Sequence, residues 1–128
     1  MRRMVMLLGA IAVMLVMAAG VAVAVQKQCG DSLPCRGTDN DDQLHERIGN
    51  HKKDRILGLQ GGDLIDANNY RQDRDRLEGG PQGDTLLTND NDGRDSAQGG
   101  RGNDKCIIDA GDNASSCSVS IQAAGQDR

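Results

Sequence analysis

The sequence predicts an all-β fold, a parallel β-roll in which short strands stack coil upon coil. An aspartate followed two residues later by an apolar residue recurs along the chain, and the spacing is nearly constant over pairs of repeats. The aspartates are Asp42, Asp54, Asp63, Asp75, Asp84, Asp95 and Asp104. Successive intervals are 12, 9, 12, 9, 11 and 9 residues, so every second aspartate follows after 20 or 21 residues. One coil therefore contains two strands, one tight turn and one looser turn, which gives about three to four coils.

Two apolar columns are expected if the chain winds in this way, because equivalent side chains of successive coils lie above one another. The columns are Leu44, Ile65, Leu86 and Cys106 on one side and Ile56, Leu77 and Ala97 on the other. The chain has no Phe or Trp and a single Tyr, so it cannot build an ordinary globular core, and stacking is the way to bury these side chains. The alternative is an acidic, glycine-rich disordered segment with chance spacing.

Four segments follow from these patterns. Residues 1–24 form an export segment, 25–35 an N-terminal cap, 36–112 the repeats, and 113–128 a C-terminal cap with a flexible tail. The export segment carries Arg2 and Arg3 and then an apolar run without acidic residues, typical of a signal peptide cleaved after Ala24. The run at residues 4–25 also permits a retained membrane anchor. We therefore expect a secreted, extracellular protein, or one that contacts a membrane only through this segment at its outer face.

All four cysteines lie outside the export segment, with Cys29 and Cys35 before the first repeat and Cys106 and Cys117 at the last. An even count in an exported chain favours disulfides. Of the three possible pairings we expect the local one, Cys29 with Cys35 and Cys106 with Cys117, because the ends of an elongated solenoid lie far apart. A zinc site is the alternative, but there is no closely spaced cysteine pair, and the two histidines fall in a separate segment.

The charge of the chain argues for cations as partners. The formal net charge is −4, and it becomes −6 without the two arginines of the export segment. A surface of that sign attracts cations and repels phosphates, and Tyr70 is the only aromatic side chain on which a base could stack. We therefore do not expect nucleic acid as a partner. Ser115, Ser116 and Ser118 have no histidine base within their segment, so we do not expect an enzyme.

The best-preserved turn is Gly99-Gly100-Arg101-Gly102-Asn103-Asp104-Lys105-Cys106, which fits the nonapeptide pattern G-G-x-G-x-D-x-U. We expect glycines at the first, second and fourth positions to take φ > 0 and to turn backbone carbonyls toward a common point, where the aspartate adds an anionic oxygen. Two other turns keep part of this pattern. They are Gly79, Gly80 and Asp84, with Gln82 at the fourth position, and Gly58, Gly61 and Asp63, with Leu59 at the second.

These turns resemble the RTX, or haemolysin-type, repeats of secreted bacterial toxins and proteases, and more closely the small exported proteins made of such repeats alone. The resemblance covers about residues 36–112 and implies a right-handed parallel β-roll with calcium between successive turns. The implied metal-binding residues are Asp42, Asp63, Asp84, Asp104, Gly58, Gly61, Gly79, Gly80, Gly99, Gly100 and Gly102. Asp54, Asp75 and Asp95 follow damaged glycine patterns, so we expect their side of the roll to be purely structural.

The function expected from the sequence is therefore an exported calcium-binding β-roll, whose protein or cell-surface partner the sequence does not indicate. One alternative is an ion-independent structural or adhesive solenoid that binds a protein or a cell-wall polymer. A second is a non-catalytic appendage of a secreted enzyme. Asp90-Asn91-Asp92-Gly93 looks like the core of an EF-hand loop, but its first ligand is weak and the bidentate glutamate is missing. A loose acidic loop of the thrombospondin type 3 kind is a second alternative, and the same residues also fit the turn of their own repeat.

Overall fold

The structure is a computed structural model that describes residues 24–30, 34–47, 52–68 and 73–122. Residues 1–23 of the expected export segment and residues 123–128 of the expected tail lie outside this description. The strands are β1 (Gln26–Cys29), β2 (Cys35–Arg36), β3 (Gln43–Glu46), β4 (Arg55–Leu57), β5 (Leu64–Asp66), β6 (Arg76–Pro81), β7 (Thr85–Thr88), β8 (Ser96–Arg101), β9 (Lys105–Asp109), β10 (Asn113–Ser115) and β11 (Ser118–Gln122). Among the described residues there is no helix long and apolar enough to cross a membrane.

The strands alternate between two sheets, and every pair of neighbours is parallel. Sheet A has the order β1-β3-β5-β7-β9-β11, and sheet B has the order β2-β4-β6-β8-β10. A chain that adds one strand to each sheet in turn winds as a β-solenoid, here of about four turns. This confirms the fold class that the aspartate spacing predicts. We call the connections from sheet B to sheet A the tight-turn edge, and those from sheet A to sheet B the loose-turn edge.

The core consists of the two predicted apolar columns. In sheet A, Leu44, Ile65, Leu86 and Cys106 are register partners on successive strands. In sheet B, Ile56, Leu77 and Ala97 are stacked in the same way. All of these side chains are fully buried or nearly so. Because equivalent positions face each other across the two sheets, each coil buries its apolar side chains against its neighbours, as stacked repeats require.

Disulfides close both ends of the core, with the predicted pairing. Cys29 is bonded to Cys35 and Cys106 to Cys117, with Cα–Cα distances of 5.5 and 5.9 Å. At the N-terminal end, Lys27 takes the place of an apolar residue in the column of sheet A, and its Nζ donates a hydrogen bond to a backbone carbonyl at 3.3 Å. The long apolar stem of a lysine can cover an open core end while its ammonium group stays hydrated.

The tight turns keep the conformation of the nonapeptide where the sequence departs from it. Leu59 takes φ 86° at the second position, where Gly100 takes φ 114°. Gln82 takes φ 82° at the fourth position, where Gly102 takes φ 141°. A side chain at such φ values costs about 1–2 kcal/mol per residue. The stacking of coils therefore imposes the turn shape on residues that do not favour it.

We expect Gln82→Gly to stabilise the fold by about 0.5–1 kcal/mol, because glycine removes the cost of positive φ but adds freedom to the unfolded chain. Equilibrium denaturation in urea measures the change. Gln60→Gly is the matched control, since Gln60 lies in the equivalent kind of turn without positive φ, and it should lower stability instead. An unchanged or lower stability of Gln82→Gly would show that position 82 carries no strain.

Candidate metal centre

The repeated aspartates form a hydrogen-bonded ladder along the tight-turn edge. The N–H of Asp42 donates to Asp63 Oδ1, that of Asp63 to Asp84 Oδ1, and that of Asp84 to Asp104 Oδ1, each at 2.8 Å. All four carboxylates are buried. Each side chain thus satisfies a backbone N–H of the preceding coil at the point where the strand begins. The aspartate repeat therefore joins coil to coil.

A second ladder of the same kind runs along the loose-turn edge. The N–H of Asp54 donates to Asp75 Oδ1 at 2.8 Å, and the N–H of Asp75 donates to Asp95 Oδ1 at 2.7 Å. The ladder ends with the N–H of Asp95, which donates to Asp112 Oδ1 at 3.0 Å. Asp112 was not part of the predicted repeat, because it follows Asp95 after 17 residues rather than 20. The last coil is shorter than the others, so its aspartate is out of period.

Most ladder aspartates use only one of their two oxygens. The Oδ2 atoms that are buried without a hydrogen-bond partner belong to Asp63, Asp75, Asp84, Asp95 and Asp104. A buried, ionised oxygen without a partner is destabilising. Each of these groups therefore has to be protonated, or it has to lie against a cation.

Asp42, at the N-terminal end of the first ladder, differs from the other predicted ligands. Its Oδ1 accepts the N–H of Val25 at 2.7 Å, and its Oδ2 accepts the hydroxyl of Thr38 at 2.9 Å. Burial alone would raise the pKa of Asp42, but these hydrogen bonds and one from the Thr38 N–H hold it below its usual value. Both oxygens are satisfied within the protein, so Asp42 has the least need of a cation.

The first glycine of three tight turns, Gly58, Gly79 and Gly99, lies against an unpartnered aspartate oxygen. A Cβ on Gly79 would lie 2.3 Å from Asp84 Oδ2 and 2.6 Å from the carbonyl oxygen of Gly99, and one on Gly58 would lie 2.2 Å from Asp63 Oδ2. None of the first-position glycines has a positive φ. The expectation that they serve the turn through φ > 0 is therefore wrong for this position. Glycine is required because oxygens from two coils converge beside its Cα.

A larger set of carboxylates gathers at the loose-turn edge, where the sequence predicted a purely structural side. Three groups have ligand atoms within 4.8 Å of one another: Glu46, Asp73 and Asp75; Asp73, Asp90 and Asp92; and Asp92, Asp95 and Asp112. Asp73 and Asp92 are shared between neighbouring groups, so the seven residues form one continuous line, which we call the acidic row. Each group combines carboxylates from two successive coils.

The local folding of the loose turns places these residues. Glu46 is the last residue of β3 and lies on its inward face, because Leu44 two positions earlier is also inward. Between β7 and β8, the N–H of Asp92 donates to Asp90 Oδ1 at 3.0 Å, and Asn91 between them has φ 77°. A side-chain oxygen that accepts the N–H two residues further on defines an Asx turn. The described residues on either side are strands, so Asp90 to Gly93 form the turn of their own repeat rather than an EF-hand.

Asp112 is held firmly at the C-terminal end of the acidic row. Its Oδ2 accepts the hydroxyl of Thr88 and the N–H of Asp109, both at 3.0 Å, in addition to the ladder bond at Oδ1. Burial still raises the pKa of Asp112, although these hydrogen bonds work in the opposite direction. The row thus ends on a carboxylate whose position is fixed by two strands.

Burial and mutual repulsion raise the pKa values along the acidic row. Burial is the largest cause and raises the pKa of Asp75 and Asp95 to about 8 and that of Asp90 to about 7. Neighbouring carboxylates add to each shift. On the tight-turn edge, burial raises the pKa of Asp84 only to about 6. The acidic row is therefore the part of the molecule where a divalent cation would relieve the most unfavourable charge.

The donor atoms of the acidic row fit a hard cation such as Ca²⁺. Ca²⁺ takes six to eight oxygen ligands, and three carboxylates can supply up to six. Each of the three groups contains at least one carboxylate with a buried oxygen that accepts no hydrogen bond, as in Asp75, Asp90 and Asp95. Zinc fits poorly, because all four cysteines are in disulfides, and the described His45 lies on the outer face of sheet A, with Nδ1 3.8 Å from Asp66 Oδ2.

The structure brings the predicted ligands Asp63, Asp84 and Asp104 into one column beside their glycines, but it does not gather them into a group of three carboxylates. Five members of the acidic row lie outside the aspartate repeat: Glu46, Asp73, Asp90, Asp92 and Asp112. Sequence reasoning missed Glu46, Asp73 and Asp112, and it considered Asp90 and Asp92 only as a separate loop or turn. A second acid two or three residues before a ladder aspartate was the available signal, as in Asp73 before Asp75.

Comparison of the chain with family models, curated proteins and solved structures found no match. The resemblance to RTX repeats therefore depends on the glycine and aspartate positions alone.

Proposed function

We propose that this protein is an exported, non-enzymatic β-roll of the RTX type that binds calcium between successive turns, chiefly in the acidic row. The observation that carries this proposal is the acidic row, with its three clusters of three carboxylates. Each cluster combines residues from two coils, and each contains a buried oxygen that accepts no hydrogen bond. Bound Ca²⁺ would supply positive charge to these oxygens and cross-link adjacent coils.

The two disulfides support a location outside the cytosol, where such bonds persist. Calcium-binding modules of the extracellular space have dissociation constants of about 10⁻⁴–10⁻³ M. We place this protein in that range, because its ligands come from separate coils rather than from one continuous loop. Magnesium should be a poor substitute, since it demands a compact octahedral site.

We expect calcium to raise the melting temperature and to strengthen the β-sheet circular dichroism of the protein, with magnesium as the control ion. Asp92→Asn should reduce the calcium response most, because Asp92 belongs to two groups of the acidic row. Asp39→Asn is the matched control, since Asp39 is exposed and lies outside the row and both ladders. Asp84→Asn separately tests the tight-turn edge. The protein is produced from the full chain with its disulfides formed.

An ion-independent structural solenoid is the competing function, and the two aspartate ladders favour it. Their hydrogen bonds explain the aspartate repeat without any ion. Identical melting curves in chelator and in millimolar calcium would establish that alternative and exclude the calcium-binding proposal. An equal loss of calcium response in Asp92→Asn and Asp39→Asn would exclude the acidic row as the site.

A further inference from the structure

The structure separates the charges of the chain by depth. Every lysine and arginine of the described residues is exposed, whereas both aspartate ladders are buried, except for the half-buried Asp112. Asp39 and Asp41 are the only acids within the same described ranges that are exposed rather than buried or half-buried. For residues 24–30, 34–47, 52–68 and 73–122, the premise that the surface carries the negative sign of the whole chain is therefore wrong. The interior of this part is acidic, and its outer surface is basic.

The exposed basic residues concentrate on one side of the solenoid. Three of them lie at outward positions of sheet B, and three directly precede the ladder aspartates of the loose turns. We call these six residues the basic face: Arg36, Arg55, Arg76, Lys53, Arg74 and Arg94. The basic face thus covers the outer side of β2, β4 and β6 and the adjoining loose-turn edge.

The coil period sets the spacing of this charge. Arg55 and Arg76 are register partners on neighbouring strands, and such strands lie about 4.8 Å apart. Their side chains are 49% and 53% exposed. Both donate to Glu78 at 2.9 Å, and Glu78 is the only acid at a described outward position of sheet B. The face therefore keeps a net positive charge that repeats from coil to coil.

The side chains at outward positions of β8 and β10 are polar and uncharged. Ser96 and Asn113 continue the column of the two arginines, and Gln98 and Ser115 continue the column beside it. Hydroxyl and amide side chains of this kind form hydrogen bonds with neutral polar groups such as sugar hydroxyls. The apolar residue at an outward position, Leu57, is only 8% exposed. The face thus offers neither an aromatic side chain for base stacking nor an apolar group for insertion into a lipid bilayer.

We propose that the basic face binds a linear acidic polysaccharide. Its carboxylate or sulfate groups pair with the arginines, which present two donors in the geometry of such anions, and its hydroxyls bind the polar half of sheet B. A polymer that lies along the solenoid makes these weak contacts with successive coils, so that its overall affinity exceeds the affinity of any single contact. This binding goes beyond the proposed calcium binding and does not depend on it.

The test measures binding of the full-length, disulfide-bonded protein to dextran sulfate and to hyaluronan, with uncharged dextran as the reference, in buffer containing millimolar calcium. We expect binding to at least one of the acidic polymers, which weakens as salt is added, and none to uncharged dextran. Arg74→Gln combined with Arg94→Gln should weaken the binding about tenfold, as expected for the loss of two charge-assisted contacts. Lys53→Gln provides a second, milder variant of the same face.

The matched control is Arg101→Gln combined with Lys105→Gln. It removes the same charge from the last residue of β8, next to the tight turn, and from the outer face of sheet A, and it should change the affinity by less than about twofold. Equal losses in the two double variants would show binding to net charge alone and would overturn the proposal. The absence of binding to either acidic polymer, or tighter binding to single-stranded DNA or to anionic vesicles at the same salt, would also overturn it.

Discussion

In calcium-free solution, the free energy of unfolding should fall as the pH rises from about 4 to about 8. The cause is the acidic row, where burial raises the pKa of Asp75 and Asp95 to about 8, above a value of about 3.9 in the unfolded chain. Between these values the folded state binds more protons than the unfolded state. For each proton that the folded state binds in excess of the unfolded state, the free energy of unfolding falls by about 1.4 kcal/mol for every unit by which the pH rises. Stability is therefore greatest below about pH 4 and is lost as the pH passes through about 8.

Calcium should restore most of the stability lost at high pH, because the cation takes the place of the protons. Thermal melting in chelator and in millimolar calcium at pH 5 and pH 8 measures this effect. The calcium-induced rise in melting temperature should be several times larger at pH 8. Equal melting temperatures at the two pH values in chelator would contradict the placement of these carboxylates in the interior.

Asp75→Asn combined with Asp95→Asn isolates the contribution of the two charges. Asparagine keeps the Oδ1 acceptor that the N–H groups of Asp54 and Asp75 require, but it cannot ionise. In chelator at pH 8 this variant should be more stable than the natural protein by about 3 kcal/mol or more, given shifts of this size. Its stability should vary less with pH, and it should respond little to calcium. Asp39→Asn should behave like the natural protein.

The sequence was sufficient to predict the winding of the chain, because one physical contact fixes each repeated position. Asp63 is needed to satisfy the N–H of Asp42, and Ile65 two residues later faces the core under Leu44. A ladder aspartate and an inward apolar residue therefore recur with the period of the coil. The pairing of the cysteines could be predicted from the same geometry, since each bonded pair closes one end of the stack.

The acidic row could not be predicted from that period, because its members are brought together by irregular turns. Glu46 is buried at the end of a strand, where alternation alone gives no reason to expect a charge. Asp112 joins the row because the last coil is short, and Asp90 because its turn folds back on itself. The loose-turn edge, where the glycine patterns are damaged, thus holds clusters of carboxylates. On the tight-turn edge, where more glycines are intact, each unpartnered oxygen comes from a single aspartate.

The depth of each charge was also outside the reach of sequence reasoning. Net charge predicts surface potential only when charged groups are exposed. Here the ladders draw aspartates inward, since each forms a hydrogen bond that water would otherwise form, and the neighbouring residues Lys53, Arg74 and Arg94 stay outside. The repeated pattern of a basic residue before a buried aspartate is visible in the sequence, but its meaning depends on the ladder.

Gly79→Ala should destabilise the fold by about 3 kcal/mol or more, beyond the usual cost of one misplaced methyl group, because the new atom has no space to move into. Its Cβ would lie 2.3 Å from Asp84 Oδ2 and 2.6 Å from the carbonyl oxygen of Gly99. Asp84 is held in place by the ladder bond that its Oδ1 accepts from the N–H of Asp63, and Gly99 lies within strand β8. Neither oxygen can therefore move away without disturbing the hydrogen bonds that join the coils. Equilibrium denaturation in urea measures the loss.

Gly83→Ala is the matched control for this substitution within the same tight turn. Its Cβ would lie 3.2 Å from the carbonyl oxygen of Asn103, and Gly83 is exposed and has no positive φ. A shift of a few tenths of an ångström relieves that contact, and the alanine also restricts the unfolded chain. The change in stability should therefore stay within about 1 kcal/mol. If the two alanine variants lost equal stability, the close approach of two oxygens to Gly79 would not be the reason for glycine at that position.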